Sequence, residues 1–275
     1  MAVRRVGVLV SGGDCPGLNA VLRAVVKVGI SEFGLEVVGI QDGYSGLLEP
    51  VRARALGAAE VSGLLSRGGT ILGSTNRGNP FHWESGPHAG EDRSTELIGN
   101  AKRLGLDCVI VIGGDGSLRI GLEFAARGLP IVGVPKTIDN DIDLTDATFG
   151  FDSAVTVAME AIDRLHTTAE SHHRVMVVEV MGREAGWIAL SAGLAGGADA
   201  ILIPEIPFSL HSVGAKILER VRSEKPFSIV VVAEGATSLD GEASYLDDAR
   251  KRFGGVGQKV GLELERLTQK ETRVT

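Results

Sequence analysis

Short β-branched runs alternate with amphipathic helical stretches along the whole chain, and most of the runs close on a glycine or proline turn. Val6 to Val10, Leu35 to Ile40, Val109 to Ile112, Leu129 to Val134, Val175 to Val180, Ala200 to Ile203 and Ile229 to Ala233 read as strands. Between them, helical periodicity covers residues from 18 onward, then 96–104, 118–127, 153–169, 184–195, 211–224 and 256–269. Runs this short and apolar suit strands covered on both faces, and the helices are long enough to be crossovers. The expected fold class is therefore α/β: two doubly wound, mainly parallel-sheet domains with the active site in the cleft between them. We expect the division near residue 150, around Phe149-Gly150-Phe151, giving domains 1–150 and 151–275, although no composition shift marks a linker there.

The bulk numbers remove several function classes. A net charge of −7 argues against a general nucleic-acid surface, while leaving room for a local phosphate site. Cys15 and Cys108 are the two cysteines, too few for a disulfide framework or a zinc site, and Cys108 opens an apolar run as a buried thiol would. Arg4-Arg5 lead straight into a strand pattern, with no signal peptide and no membrane-length apolar span. The expectation is a soluble cytoplasmic protein.

Two turns have the form of an anion site. The first strand ends in Ser11-Gly12-Gly13-Asp14-Cys15-Pro16-Gly17 before a helix with Leu18, Val21, Leu22 and Val25 on one face. Glycines let backbone N–H groups approach an oxyanion and the helix dipole favours its charge, though a glycine here serves equally well for the turn alone. The spacing is neither that of a Walker A loop nor that of a dinucleotide fingerprint. The second turn, Gly113-Gly114-Asp115-Gly116-Ser117, sets an acid among glycines. An aspartate beside an anion makes sense when a cation such as Mg²⁺ bridges them; the plainer reading is a helix N-cap.

The strand Leu129 to Val134 runs into Pro135-Lys136-Thr137-Ile138-Asp139-Asn140-Asp141. A threonine hydroxyl and two carboxylates thus sit within five residues at a strand's carboxyl end, where open α/β sheets place their ligands. Arg183, in Met181-Gly182-Arg183, and Glu234 also follow strands. Arg77 follows a turn at Gly68-Gly69 and reads as a surface residue when taken alone. Residues 78–92 read as an exposed loop, His172 and His173 as surface or packing residues, and Trp187 as core.

Taken together, Gly12 to Ala20, Gly113 to Ser117, Pro135 to Asp141 and Met181-Gly182-Arg183 resemble the 6-phosphofructokinase family in order and spacing, from residue 5 to the last residue. The resemblance implies phosphoryl transfer to the 1-hydroxyl of fructose 6-phosphate, with residues 1–150 binding the donor and 151–275 the sugar phosphate. It implies Asp139, Thr137 and Arg183 as catalytic residues, with Asp139 taking the hydroxyl proton. Asp115 would hold Mg²⁺, with Asp141 close by. Gly12, Gly13, Arg77, Gly78, Gly113, Gly114, Asp115, Gly116 and Ser117 would surround the donor phosphates. Thr137, Ile138, Asp139, Met181, Gly182, Arg183 and Glu234 would bind the sugar phosphate and the transferring group. Arg174 and Arg273 match arginines that reach a neighbouring subunit's site, which implies a homodimer or homotetramer.

Two departures from the family pattern bear on function. Gly116 leaves room for a nucleotide, whereas Lys136 is the residue of pyrophosphate users; position 116 controls access, so ATP is the expected donor and pyrophosphate the alternative. The chain also lacks the segment with which family members continue after Val274-Thr275, so a partial chain with weakened sugar-phosphate affinity is expected. Two rivals remain: a kinase of the NAD or lipid class sharing Gly-Gly-Asp-Gly, and a nucleotide-binding partner subunit without catalysis.

Overall fold

The computed structural model describes residues 3–84, 86–239, 245–247, 252–253 and 255–275. They form two compact units: Met1–Thr137 with Ile142–Gly150, and Ile138–Asp141 with Phe151–Thr275.

The first unit contains β1 (Arg5–Val10), α1 (Leu18–Phe33), β2 (Glu36–Ile40), β3 (Ala53–Leu56), α2 (Ser94–Arg103), β4 (Cys108–Gly113), α3 (Asp115–Ala126), β5 (Ile131–Thr137) and β6 (Phe149–Gly150). Its sheet has the order β3-β2-β1-β4-β5-β6, parallel except for β3 against β2. The chain leaves β1 toward β2 on one side and returns to β4 on the other. The carboxyl ends of β1 and β4 therefore flank the point where the order reverses, and there doubly wound sheets open a crevice. On one face Leu9 and Val111 pack with Leu97 and Ala101 of α2 and Phe124 of α3. Helix α1 buries Leu18, Val21, Leu22 and Val26. Its stripe runs through Val26 rather than Val25, since Val26 stands one helical turn beyond Leu22.

Three local expectations are corrected. The strand after residue 129 is not fully buried, because β6 pairs only with Lys136 and Thr137, leaving the rest of β5 as an edge with Val132 53% exposed. Cys108 is half-buried, and burial raises its thiol pKa. Residues 78–92 are not simply an exposed loop. Phe81 stacks on Phe124 with centroids 4.8 Å apart, Arg127 caps the Phe81 ring at 4.2 Å, and Arg93 lies 5.4 Å over the Trp83 ring. Aromatic anchoring carries no periodicity, so it leaves no pattern along the chain.

The second unit contains α4 (Phe151–His172), β7 (Val175–Val180), α5 (Trp187–Ala195), β8 (Ala200–Leu202), α6 (Leu210–Arg222), β9 (Ser228–Ala233), β10 (Tyr245–Asp247), β11 (Arg252–Phe253), α7 (Val256–Thr268) and β12 (Thr272–Val274). Its main sheet, β12-β7-β9-β8, is all parallel, and β10 and β11 form a separate antiparallel pair. Alternate residues face opposite ways. Val175, Val177, Val230 and Val232 pack with α6 and α7, whereas Met176, Val178, Ile229 and Val231 pack with α4 and α5. Trp187 is not core: it opens α5 and is 46% exposed, while the neighbouring Ile188 and Ala189 take the buried positions. No helix among the described residues is long and apolar enough to cross a membrane.

Candidate active site

The turn after β1 is tied to every element around it. Ser11 N–H donates to the Ile112 carbonyl of β4 (2.9 Å), and Gly12 N–H donates to Thr75 (3.0 Å). The Ser74 hydroxyl donates back to Gly12 (2.5 Å). Gly12 holds φ +93, a conformation that costs a side-chain-bearing residue energy, and this opens the turn toward residues 74–75. Lys136 reaches across from β5, and its ammonium donates to the Gly13 carbonyl (2.8 Å) while the residue is 5% exposed. The hydroxyls of Ser11 and Ser117 meet at 2.9 Å, and the buried Tyr44 hydroxyl fixes the first turn of α3 by donating to the Ser117 carbonyl (2.8 Å).

These contacts enclose a cavity of about 550 Å³, lined by Gly12, Gly13, Arg77, Gly78, Gly114, Asp115, Gly116, Ser117, Lys136 and Thr137 among others. Nearly the whole predicted donor set thus converges at the reversal point of the sheet; Gly113 lies just behind it, as the last residue of β4. The α3 N-cap is Gly114, not Asp115, so the aspartate is released from capping and stands in the first helical turn at the cavity wall. Its carboxylate pairs with Arg119 at 2.8 Å, both side chains being exposed. Such an i,i+4 pair is worth only about 0.3–0.5 kcal/mol, too little to keep a divalent cation from the carboxylate. Among the described residues no group of three or more His, Cys, Asp or Glu could hold a metal alone. One carboxylate on the wall of such a cavity would suit a Mg²⁺ whose remaining ligands are phosphate oxygens and water.

Ser11, from the first glycine turn, also lines the cavity, together with residues that carry no site signal in the sequence: Thr75, Asn76, Asn79, Phe81, Glu84, Arg119, Ile120 and Glu123. Arg119 could have been found from its i,i+4 spacing to Asp115. Thr75 and Asn76 adjoin Arg77 but belong to a loop without period.

In the second unit the loops after β7 and β9 lie side by side. Glu234 N–H donates to the Val180 carbonyl and Gly235 N–H to Gly182, both at 2.9 Å. A Cβ on Gly235 would fall 1.9 Å from the Arg183 carbonyl oxygen, a contact no side chain can make. Gly235→Ala is therefore expected to displace the Gly182–Arg183 backbone and to cost on the order of 1–3 kcal/mol, read as a lowered melting temperature; an unchanged one would mean the two loops do not need this approach.

The Glu234 carboxyl is pushed above its ordinary range by burial, then by the negative charges of Glu179 and Asp139; a hydrogen bond from the Gly182 backbone and the Arg183 charge pull it back. Asp139, Gly182, Arg183 and Glu234 thus share one electrostatic neighbourhood. Met181 is exposed beside them, and Asp141 is exposed on the loop that follows Ile138. Between the two aspartates Asn140 takes φ 53, a left-handed turn that asparagine tolerates better than most residues.

Because Glu234 holds its proton more tightly folded than unfolded, it favours the folded state least once pH has risen through its folded pKa. Glu234→Gln is expected to melt higher than the parent chain near pH 7, the two curves converging as pH falls below the ordinary value of 4.5. A constant offset across that range would assign the difference to something other than this proton.

Arg174 and Arg273 do not join this group. Both pair with Glu271, at 2.7 and 2.5 Å, near the amino end of β7. A strand rises about 3.3 Å per residue, so Arg174 lies roughly 20 Å from Met181 along β7.

The phosphofructokinase family model matches residues 5–275. The chain is 56% identical over 271 residues to the ATP-dependent 6-phosphofructokinase of Chloroflexus aurantiacus, covering 98% of itself and 75% of that protein. Among solved structures, phosphofructokinase from Pichia pastoris in the T-state superposes with a TM-score of 0.84 at 33% identity, over all of this chain and 29% of that one. The pyrophosphate-dependent phosphofructokinase of Nitrosospira multiformis gives 0.78 at 25% identity, over 100% of this chain and 69% of that one. A family model matching residues 5–275 and a relative 56% identical over 271 residues leave one assignment: the chain belongs to the phosphofructokinase family.

Proposed function

We infer that the chain transfers a phosphoryl group from ATP to the 1-hydroxyl of fructose 6-phosphate, giving fructose 1,6-bisphosphate. The observation that carries this reading is the convergence of Gly12, Gly13, Arg77, Gly114 to Ser117 and Lys136 on one cavity at the sheet's reversal point. In this reading the first unit binds the donor and the second unit the sugar phosphate.

Phosphoryl transfer asks little covalent chemistry of a protein; it needs alignment, neutralised phosphate charge and a base near the nucleophile. Backbone N–H groups of the two glycine turns, Arg77, the buried Lys136 and Gly78 beside them hold the donor phosphates. Gly113 closes β4 behind the second turn and lets Ser117 approach. Mg²⁺, when bound, neutralises charge on the donor phosphates; Asp115 would hold it, and Asp141 is the second candidate carboxylate. Asp139 accepts the proton of the 1-hydroxyl. Thr137, Ile138, Met181, Gly182, Arg183 and Glu234 orient the sugar phosphate, and Arg183 adds positive charge toward the group in transit.

Arg174 and Arg273, remote from these residues within one chain, serve a neighbouring subunit's sugar phosphate in a homodimer or homotetramer. A soluble cytoplasmic enzyme fits this reading. Pyrophosphate is the second donor to consider, because Lys136 presents a buried ammonium at the phosphate end of the cavity. A coupled assay on the purified protein decides between them: turnover with ATP is expected, and turnover with pyrophosphate but none with ATP would reverse the donor assignment.

A further inference from the structure

Asn19 is 2% exposed, in the first turn of α1. Its amide makes three hydrogen bonds away from its own helix. The side-chain N–H groups donate to the carbonyls of Arg67 (2.9 Å) and Gly68 (3.2 Å), and the side-chain oxygen accepts from Ile71 N–H (3.0 Å). Residues 67–71 have no regular structure of their own and lead, through residues 72–74, into Thr75, Asn76 and Arg77 of the cavity wall. A second cleft, of about 360 Å³, lies between the Gly12–Asp14 turn and residues 69–76.

The loop is held at both ends and once between them, where Asp42 N–H donates to the Leu72 carbonyl (2.8 Å). Near the cavity, the Gly12 backbone and Ser74–Thr75 are hydrogen-bonded to each other. At the far end, Asn19 is the clamp. A buried amide that satisfies two carbonyls and one N–H leaves all three without partners when it is lost, and each would then seek water by moving outward. We propose that Asn19 is a positioning residue for the donor nucleotide: it fixes residues 67–71 against α1 and so sets the placement of Asn76 and Arg77 relative to the Gly12-Gly13 turn. It touches neither substrate. This rests on the donor-site reading given above, and the controls below separate the two.

The test uses calorimetric titration of the whole chain with ATP, alongside steady-state kinetics. Asn19→Leu removes all three hydrogen bonds at similar size. Asn19→Asp keeps the acceptor for Ile71 and places a carboxylate against two carbonyls, and it serves if the leucine variant does not fold. Both are expected to weaken ATP binding about tenfold or more, with the KM for fructose 6-phosphate within about twofold of the parent. Tryptic cleavage after Arg67 is expected to quicken. Arg77→Ala is the control for the site itself. If it weakens ATP binding while both Asn19 variants bind ATP like the parent, the clamp role is wrong. If neither it nor they have any effect, the cavity is not the donor site. A lowered melting temperature with unchanged ATP affinity would make Asn19 a merely structural residue and overturn the proposal.

Discussion

Asp139→Asn is expected to lower turnover about 10²–10⁴-fold, the range a positioned general base supplies, while fructose 6-phosphate still binds. The substitution keeps size, planarity and one carbonyl acceptor, and removes only the ability to take a proton at working pH. The residue sits in a rigid setting. Asn140 fixes the turn beside it, and Glu234, whose carboxyl senses the Asp139 charge, is held by backbone hydrogen bonds to the end of β7. Removing one negative charge there also relieves repulsion on Glu234, and because the amide keeps the side chain's shape, sugar-phosphate affinity is not expected to fall. The informative pair of measurements is therefore kcat against the fructose 6-phosphate dissociation constant. Parent-like turnover would place the base elsewhere. A loss of affinity as large as the loss of turnover would make Asp139 a binding residue instead.

How far the fold could be read in advance depended on whether the physics was local. β7 runs from Val175 to Val180 as read, because six consecutive residues of which five are apolar, ended by Met-Gly, have only one comfortable structure. β5 is legible in the sequence but its end is not: Pro135, Lys136 and Thr137 carry no apolar signal, and they extend the strand because Gly113 and Gly150 offer backbone partners. That is a tertiary effect. The exposure of Trp187 is hidden from the sequence for a related reason. A large apolar side chain at a helix start has no period to declare which way it faces, and here the glycine-closed turn before it aims it outward.

The candidate site divides along the same line. Glycine turns such as 12–13 and 113–116 announce themselves, since few other residues accept such backbone geometry or such close approach. Asn19, Tyr44 and Phe81 do not. Each shapes the cavity wall through contacts 43 to 73 residues away — Asn19 to Arg67 and up to residue 71, Tyr44 to Ser117, Phe81 to Phe124. An asparagine in a helix's first turn most often caps that helix; only the fold shows that this one is spent on another loop.

Gly116→Asp is expected to cut kcat/KM for ATP by about 10²-fold or more while pyrophosphate is affected far less. A Cβ at Gly116 meets nothing within 4 Å, so the new side chain enters the cavity without pressing on the backbone. An acid in the first turn of α3 also suits the helix dipole, so the fold is not at issue and the melting temperature should hold or rise slightly. What changes is electrostatics at the phosphate end. A carboxylate about 5 Å from a phosphate charge costs roughly 3 kcal/mol at an effective dielectric constant of ~20, which corresponds to a little over 10²-fold. On the donor-site reading the nucleotide would carry an additional phosphate and its nucleoside past this position, whereas pyrophosphate would end before it and keep the compensating charge of Lys136, buried beside Gly13. Lys136→Ala tested in the same background separates the two contributions: the double variant should lose pyrophosphate turnover and gain nothing with ATP. Equal losses for both donors in Gly116→Asp would show that position 116 does not discriminate between them, and that the choice of donor is made elsewhere in the cavity.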